Sequence, residues 1–210
     1  MSAPIRSNPR AAWIIGNPVL LAGELGRESD TGNIKFGNGT QPWNQLPYHG
    51  CPGYWGSFWD STSQYVATIN TPTAILLRSG DLSNHGIAVA SGSRITVLHA
   101  GVYSITFSIQ FSNSDSQIHD ADVWLRKNDS GSSGDVANSN SRFSIIASHG
   151  GVHGNVIGTV NYVLKLAAND YIELMWAATN TNVYIHAESA GAFSPGIPGI
   201  ICTVTQVASA

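Results

Sequence analysis

Charge is what this chain has least of. Only 11% of its 210 residues are Asp, Glu, Lys or Arg, against about 25% in an ordinary soluble domain. The formal net charge is −3 and no basic run occurs, which excludes nucleic acid and an anionic membrane surface as main partners. Polar surface must come from Ser, Thr, Asn and Gly. So little charge fits an extensive subunit interface, where charge is depleted, or a very stable extracellular particle. A lone subunit built this way risks edge-to-edge association.

Cysteine is nearly absent too. Cys51 and Cys202 make no disulfide framework. They are able to pair, but Cys202 lies in an apolar, strand-like run, where a buried thiol is the expected state. No apolar run approaches the roughly 20 residues of a membrane span, so no membrane insertion is expected. The start, MSAPIRSNPRAAW, lacks the apolar core of a secretory signal, and synthesis in a cytoplasm is the plain reading. No convincing helical stripe with caps appears. Nucleophile elbow, phosphate loop, zinc-protease helix and paired CxxC are all missing, and Gly131-Ser132-Ser133-Gly134 is too short, without a Lys, to cradle phosphate.

The remaining chemical signals are weak. Asp30-Thr31-Gly32 matches the aspartic-protease tripeptide, but it has no second copy to share a proton and reads as a turn. His149 and His153 are spaced for zinc on a helix, yet glycines 150, 151 and 154 favour a loop. His119-Asp120-Ala121-Asp122 offers ligands for a weak calcium or an axial ion, set against a solvated strand start. Paired carboxylates for glycoside hydrolysis come from distant strands. With 13 acidic residues and no cleft-lining cluster, a polysaccharide depolymerase is the least favoured reading. No catalytic residue, cofactor or metal is assigned.

The richest segment is Asn17 to Tyr48. Three turn signals, Ala22-Gly23, Asp30-Thr31-Gly32 and Gly37-Asn38-Gly39, separate very short apolar or alternating pieces. Gly supplies the positive φ that tight turns need, and Asn and Asp tolerate it best among the rest. No piece is long enough to bury a face alone, so a β-ribbon leaning on identical chains is expected. The motif residues Gly23, Gly26, Asp30, Gly32, Gly37, Gly39, Trp43 and Tyr48, in GELG, DTG, GNGT and WNQLPY, resemble the N-terminal segment of bacteriophage tail-fibre and tropism-determinant proteins. Asn38, where that family often has Asp, is a mild departure. The resemblance covers about the first quarter of the chain and implies a virion-attachment segment.

Past the Gly-, Pro- and aromatic-rich stretch from Tyr48 to Phe58, read as an elbow, the text becomes strands. Tyr103, Ile105, Phe107, Ile109 and Phe111 alternate with Ser104, Thr106, Ser108 and Gln110, the mark of a half-buried strand. Similar runs are Ile75–Leu77, Ile87–Ala90, Arg94–Leu98, Asp122–Lys127, Phe143–Ala147, Val156–Leu166, Tyr171–Ala177, Val183–Ala187 and Ile200–Val207. About ten strands between Gly/Ser/Asn/Asp clusters suit an antiparallel sandwich of jelly-roll size. LHAGVYSITFS (98–108), VWLRKN (123–128), VLKLAANDYIEL (163–174) and the closing FSPGIPGIICTVTQV (193–207) resemble strands of the tumour-necrosis-factor and complement globular-head superfamily. That resemblance implies a jelly roll assembled as a compact trimer.

The expected chain is therefore all-β: an N-terminal β-ribbon segment (1–50), an elbow (51–56) and a jelly-roll head (57–210), assembled as a homotrimer. Three polar loops stand out, with Asn113 and Asp115, then Asn128, Ser132 and Asn138, then His149 and His153. They are receptor-facing candidates, or simply solvated loops. Trp124 or Trp176 would stack on a sugar, or else belongs to the core. Tyr184 and His186 share a strand face turned to solvent or to a neighbouring subunit. The expected function is that of a phage virion structural protein, located on the particle and assembled in the host cytoplasm. As a short tail or baseplate fibre it would bind tail or baseplate proteins through its N-terminal segment and a host surface glycan through its loops. As a capsid decoration protein or head fibre it would bind the major capsid protein.

Overall fold

The structure, a computed structural model, describes residues 5–49 and 53–209. The chain divides into two compact units, Met1–Gly53 with Gln206–Ser209, and Tyr54–Thr205.

In the N-terminal unit β1 (Arg6–Asn8) runs parallel to β2 (Leu25–Glu28), which pairs antiparallel with β3 (Ile34–Phe36). Between β1 and β2 lies a helix, α1 (Arg10–Gly16). Pro9 sits just before its first turn, where a missing N–H costs nothing. Asn17, in the left-handed region at φ 38°, ends it with its N–H on the Trp13 carbonyl. The helix buries only Trp13, whose ring stacks on Trp43 at 4.1 Å. Leu20 and Leu46 complete this small core. The expected β-ribbon is present and carries, in addition, a small core of its own. Two indoles, each worth about 150–250 Å² of buried surface, close a core that the short strands do not. A one-residue contact leaves no helical stripe in the sequence.

The second unit is a two-sheet antiparallel sandwich. It begins with β4 (Trp55–Asp60), β5 (Gln64–Tyr65), β6 (Thr73–Ala74), β7 (Ser79–Gly80), β8 (Ile87–Ala90) and β9 (Arg94–Val97). The long strands follow: β10 (Gly101–Asn113), β11 (His119–Lys127), β12 (Ser141–Ile145), β13 (Gly154–Leu166) and β14 (Tyr171–Ala178). β15 (Val183–Ile185) and β16 (Ile200–Ser209) close the chain. One sheet has the order β5-β15-β10-β16-β4-β7, with β13 along the other edge of β10; the second has the order β12-β11-β14-β9-β8, with β6 beside β14. From β9 onward the chain passes to β10 in the first sheet, to β11 and β12 in the second, then β13 in the first, β14 in the second and β15–β16 in the first. This repeated crossing between antiparallel sheets is the jelly-roll arrangement.

β10 and β13 pair over thirteen residues, from Gly101↔Leu166 to Asn113↔Gly154. Tyr103, Ile105, Phe107, Ile109 and Phe111 all point inward and are buried. They meet Val123, Leu125, Ile172, Leu174 and Trp176 in one continuous core. Cys202 lies in the same core as a free thiol, and burial pushes its pKa up to about 12; Cys51 falls outside the described residues.

Two strand expectations shift. Ile75 and Leu77 are buried, and the Ile75 N–H reaches the Leu174 carbonyl at 2.8 Å, but the backbone there is irregular and only Thr73–Ala74 forms a strand. The stretch read as an elbow already holds the first residues of β4, which pairs to β16 from Trp55↔Thr205 to Asp60↔Ile200. Its inward positions include Gly56 and Asp60, which hide the period of two. Gly56 stands there because the Phe58 ring fills its side-chain space; a Cβ would lie 2.6 Å from that ring.

Ile105→Asp is expected to abolish folding, because an unpaired carboxylate in this core costs more than about 4 kcal/mol. Ser104→Asp, one residue away on the outward side, is expected to stay folded. Circular dichroism with urea titration checks the pair, and a folded Ile105→Asp protein would contradict the strand phase.

Candidate functional site

The N-terminal motif residues are spent on the fold of their own unit. Gly23, Gly32 and Gly39 hold φ near +80° in turns. Gly26 lies under the stacked indoles, where a Cβ would stand 2.5 Å from the Trp43 ring, and Gly37 lies against the Leu21 carbonyl, 2.2 Å from where a Cβ would be. Asp30 accepts the Arg10 N–H at 2.9 Å, and the Tyr48 hydroxyl donates to Glu28 at 2.7 Å. Glu28 also accepts from Thr31 and is fully buried. Lys35 lies over the Trp43 and Tyr48 rings and donates to the Trp43 carbonyl; burial lowers its pKa, opposed by Glu28. The apolar surface of the unit lies elsewhere, on Ile14, Ile15, Val19 and Leu21, all exposed. Ile14 and Ile15 stand on α1, whose seven residues leave no stripe in the sequence, and Val19 and Leu21 follow in the short apolar piece after it.

The three polar loops do not share one end of the sandwich. The Asn113↔Gly154 register, and a Ser148 N–H to Asp115 carbonyl bond of 2.7 Å, bring the His149–His153 loop beside the 113–119 loop. Asn128 and Ser132 follow the far end of β11. Asn113 is fully buried and its amide donates to the Gln117 and Ile146 carbonyls. It braces the loop and leaves the list of receptor-facing residues. Asp115 accepts from the Asn180 and Asn182 amides. His119 Nε2 stands 3.2 Å from Asp115, within ion-pair reach but off the line of a hydrogen bond. His119 and the Gln117 N–H hold Asp115 below the ordinary carboxylate range. Asn128, left-handed at φ 53°, braces Asp170 and the Tyr171 N–H. Ser132, Asn138 and His149 are exposed. His153 is not paired with His149: its Nδ1 lies 2.9 Å from the Tyr184 hydroxyl. Among the described residues no group of three His, Cys, Asp or Glu side chains is placed to hold a metal.

The two tryptophans separate cleanly. Trp176 is core. Trp124 faces outward from β11 and walls a cleft of about 610 Å³. Asn138 and Asn140 of the 128–141 loop, Asp122 and Asp135, and Asn70 with Pro72 line the rest. Asp135 accepts from Trp124 Nε1 at 2.8 Å and from Arg126 Nε at 2.7 Å. Asp122 is held by both Arg142 Nε (3.0 Å) and Nη2 (2.9 Å). Trp124 and Asn138 were among the residues singled out from sequence; Asn70, sixty-eight residues earlier than Asn138, carried no signal linking it to them.

Tyr184 is 9% exposed and largely covered by its own chain: it stacks on Tyr65 at 5.1 Å, with His186 edge-on at 5.7 Å. His186 stands 3.8 Å from Glu188. Tyr65, 62% exposed, is the outer member of this corner. Further along the same sheet, the outward positions of β13, β10, β16 and β4 include Ile157, Thr106, Val163, Thr203, Ile201 and Trp59. Among the described residues, Lys165 is the one charged side chain on that face.

No protein-family model matches the chain, and no curated protein does. Among solved structures, Eiger TNF from S. frugiperda is similar at 14% identity, over 75% of this chain and 94% of that one, with a TM-score of 0.48. The jelly-roll assignment stands on the strand order itself.

Gly26→Ala is expected to open the N-terminal unit while leaving the sandwich folded, because the indole stack has no room for a methyl. Hydrogen exchange read separately on the two units checks this, and full protection of residues 5–49 in the variant would contradict it.

Proposed function

We propose that this chain is a structural protein of a bacteriophage particle that works as a homotrimer. It acts as a short tail or baseplate fibre that touches the host surface. The observation that carries the reading is the outward face of β13, β10, β16 and β4. It exposes Ile157, Val163 and Ile201 among Ser, Thr and Asn, with Lys165 as its charge. Loss of charge with retained apolar side chains is the composition of a surface that another protein covers. A second copy is the natural occupant, since identical chains in closed symmetry are the commonest assembly. The N-terminal motifs support the phage assignment, and the exposed Ile14, Ile15, Val19 and Leu21 offer that unit a way to seat on tail or baseplate proteins.

A second reading is a capsid decoration protein or head fibre seated on the major capsid protein. One observation favours it. The N-terminal unit closes around its own Trp13–Trp43 core, so it has less need to intertwine with neighbouring chains as a fibre shaft does. Hydrolysis of host polysaccharide is a third and weaker reading.

Immunogold microscopy of particles with antibody against residues 57–210 separates these readings. Label at the tail is the expected result. Label over the head would move the protein to the capsid, and particles without label would refute a virion role.

A further inference from the structure

We propose that the cleft over Trp124 binds a neutral saccharide. The inference takes its biological sense from the host-contact reading above and its chemistry from the cleft alone.

The aromatic wall is fixed before any ligand arrives. Trp124 Nε1 is already committed to Asp135, and the same carboxylate oxygen takes Arg126 Nε. Arg126 is itself buried and donates onward to the Ser130 carbonyl. The indole therefore has its N–H occupied and presents its carbon surface to the cleft. A pyranose ring has one face of C–H groups that packs on such a surface.

Formal charge in the cleft is cancelled locally. Asp122 is gripped bidentately by Arg142, and Asp135 is engaged by Arg126. A metal ion meets no free pair of carboxylates, and an anion meets no free guanidinium. What remains are amides. The side chains of Asn70 and Asn138 are bound to no protein group among the described residues. The Asn140 amide leans on Asp122 at 3.2 Å and keeps its carbonyl for a ligand. Each amide both donates and accepts, as a sugar hydroxyl does. The volume, about 610 Å³, lies within the roughly 300–1,000 Å³ of small-ligand sites and takes one or two sugar rings.

The same geometry favours holding a sugar over cleaving it. A glycosidase acid needs its pKa raised, whereas the Arg126 hydrogen bond holds Asp135 below the usual carboxylate range.

The test uses the full chain on an array of immobilised neutral and acidic oligosaccharides, followed by calorimetric titration of the neutral and acidic binders. At least one neutral saccharide is expected to bind. Trp124→Ala is expected to weaken it by about tenfold or more, and Trp124→Phe by less, in keeping with the value of an aromatic contact. Because Trp124 is partly buried, Asn140→Ala, at an exposed position, serves as a second variant and is expected to weaken binding without affecting folding. Silence across all neutral saccharides, binding of acidic sugars only, or affinity unchanged in both Trp124→Ala and Asn140→Ala would overturn the proposal. Neutral-sugar binding by a protein whose removal leaves phage adsorption intact supports the cleft and refutes the fibre. Lost adsorption with no saccharide bound does the reverse.

Discussion

The inward row of β10, Tyr103 to Phe111, is the constraint on which the sandwich depends. Period-two geometry lets a strand send every second side chain into the core, and here five consecutive inward positions are large and apolar. Once they are buried against Val123, Leu125, Leu174 and Trp176, the phases of β11 and β14 are fixed with them. Trp124 must then face out and Trp176 in. The same rule leaves Ser104, Thr106 and Ser108 on the outer side of β10, beside the exposed Asn161 and Val163 of β13. The core and the uncharged outer face are two consequences of one alternation.

Much of this was legible in the sequence where alternation was undiluted. The bounds of β8 were read residue for residue, and β10, β13, β14 and β16 to within three residues at either end. Legibility failed where one residue did the work of several. β4 was hidden because Gly56 yields its side-chain space to Phe58. The helix was hidden because Trp13 is its only buried residue. The turn glycines were recognised, but not that Gly26 and Gly37 serve close packing within one unit. The candidate site was legible in part. Trp124 and Asn138 were named from composition and loop length. That Asn70 and Asp122 join them, and that Asn113 is buried, depends on register, which short-range pattern does not carry.

The few charges of the chain fall mostly into local pairs. Arg142 holds Asp122, Arg126 holds Asp135, Lys127 meets Asp170 and Arg78 meets Asp60. The more exposed of these pairs, Arg142 with Asp122, contributes little to stability; together the pairs cancel charge locally on the surfaces that carry them. Hydroxyl, amide and apolar groups are then left to make contacts. One such surface suits another copy of the chain, and the cleft suits a sugar. The two lie on different sheets, so that association through β13, β10, β16 and β4 leaves Trp124, on the outward side of the second sheet, open to solvent.

Light scattering coupled to size exclusion tests the central claim most directly, applied to the full chain and to a Thr106→Asp, Thr203→Asp variant. The account predicts a wild-type particle of three times the 22.2 kDa chain mass and a folded variant that dissociates, because two carboxylates on the covered face cannot be solvated there. A wild-type monomer at micromolar concentration, or a variant that still associates as three chains, would contradict it.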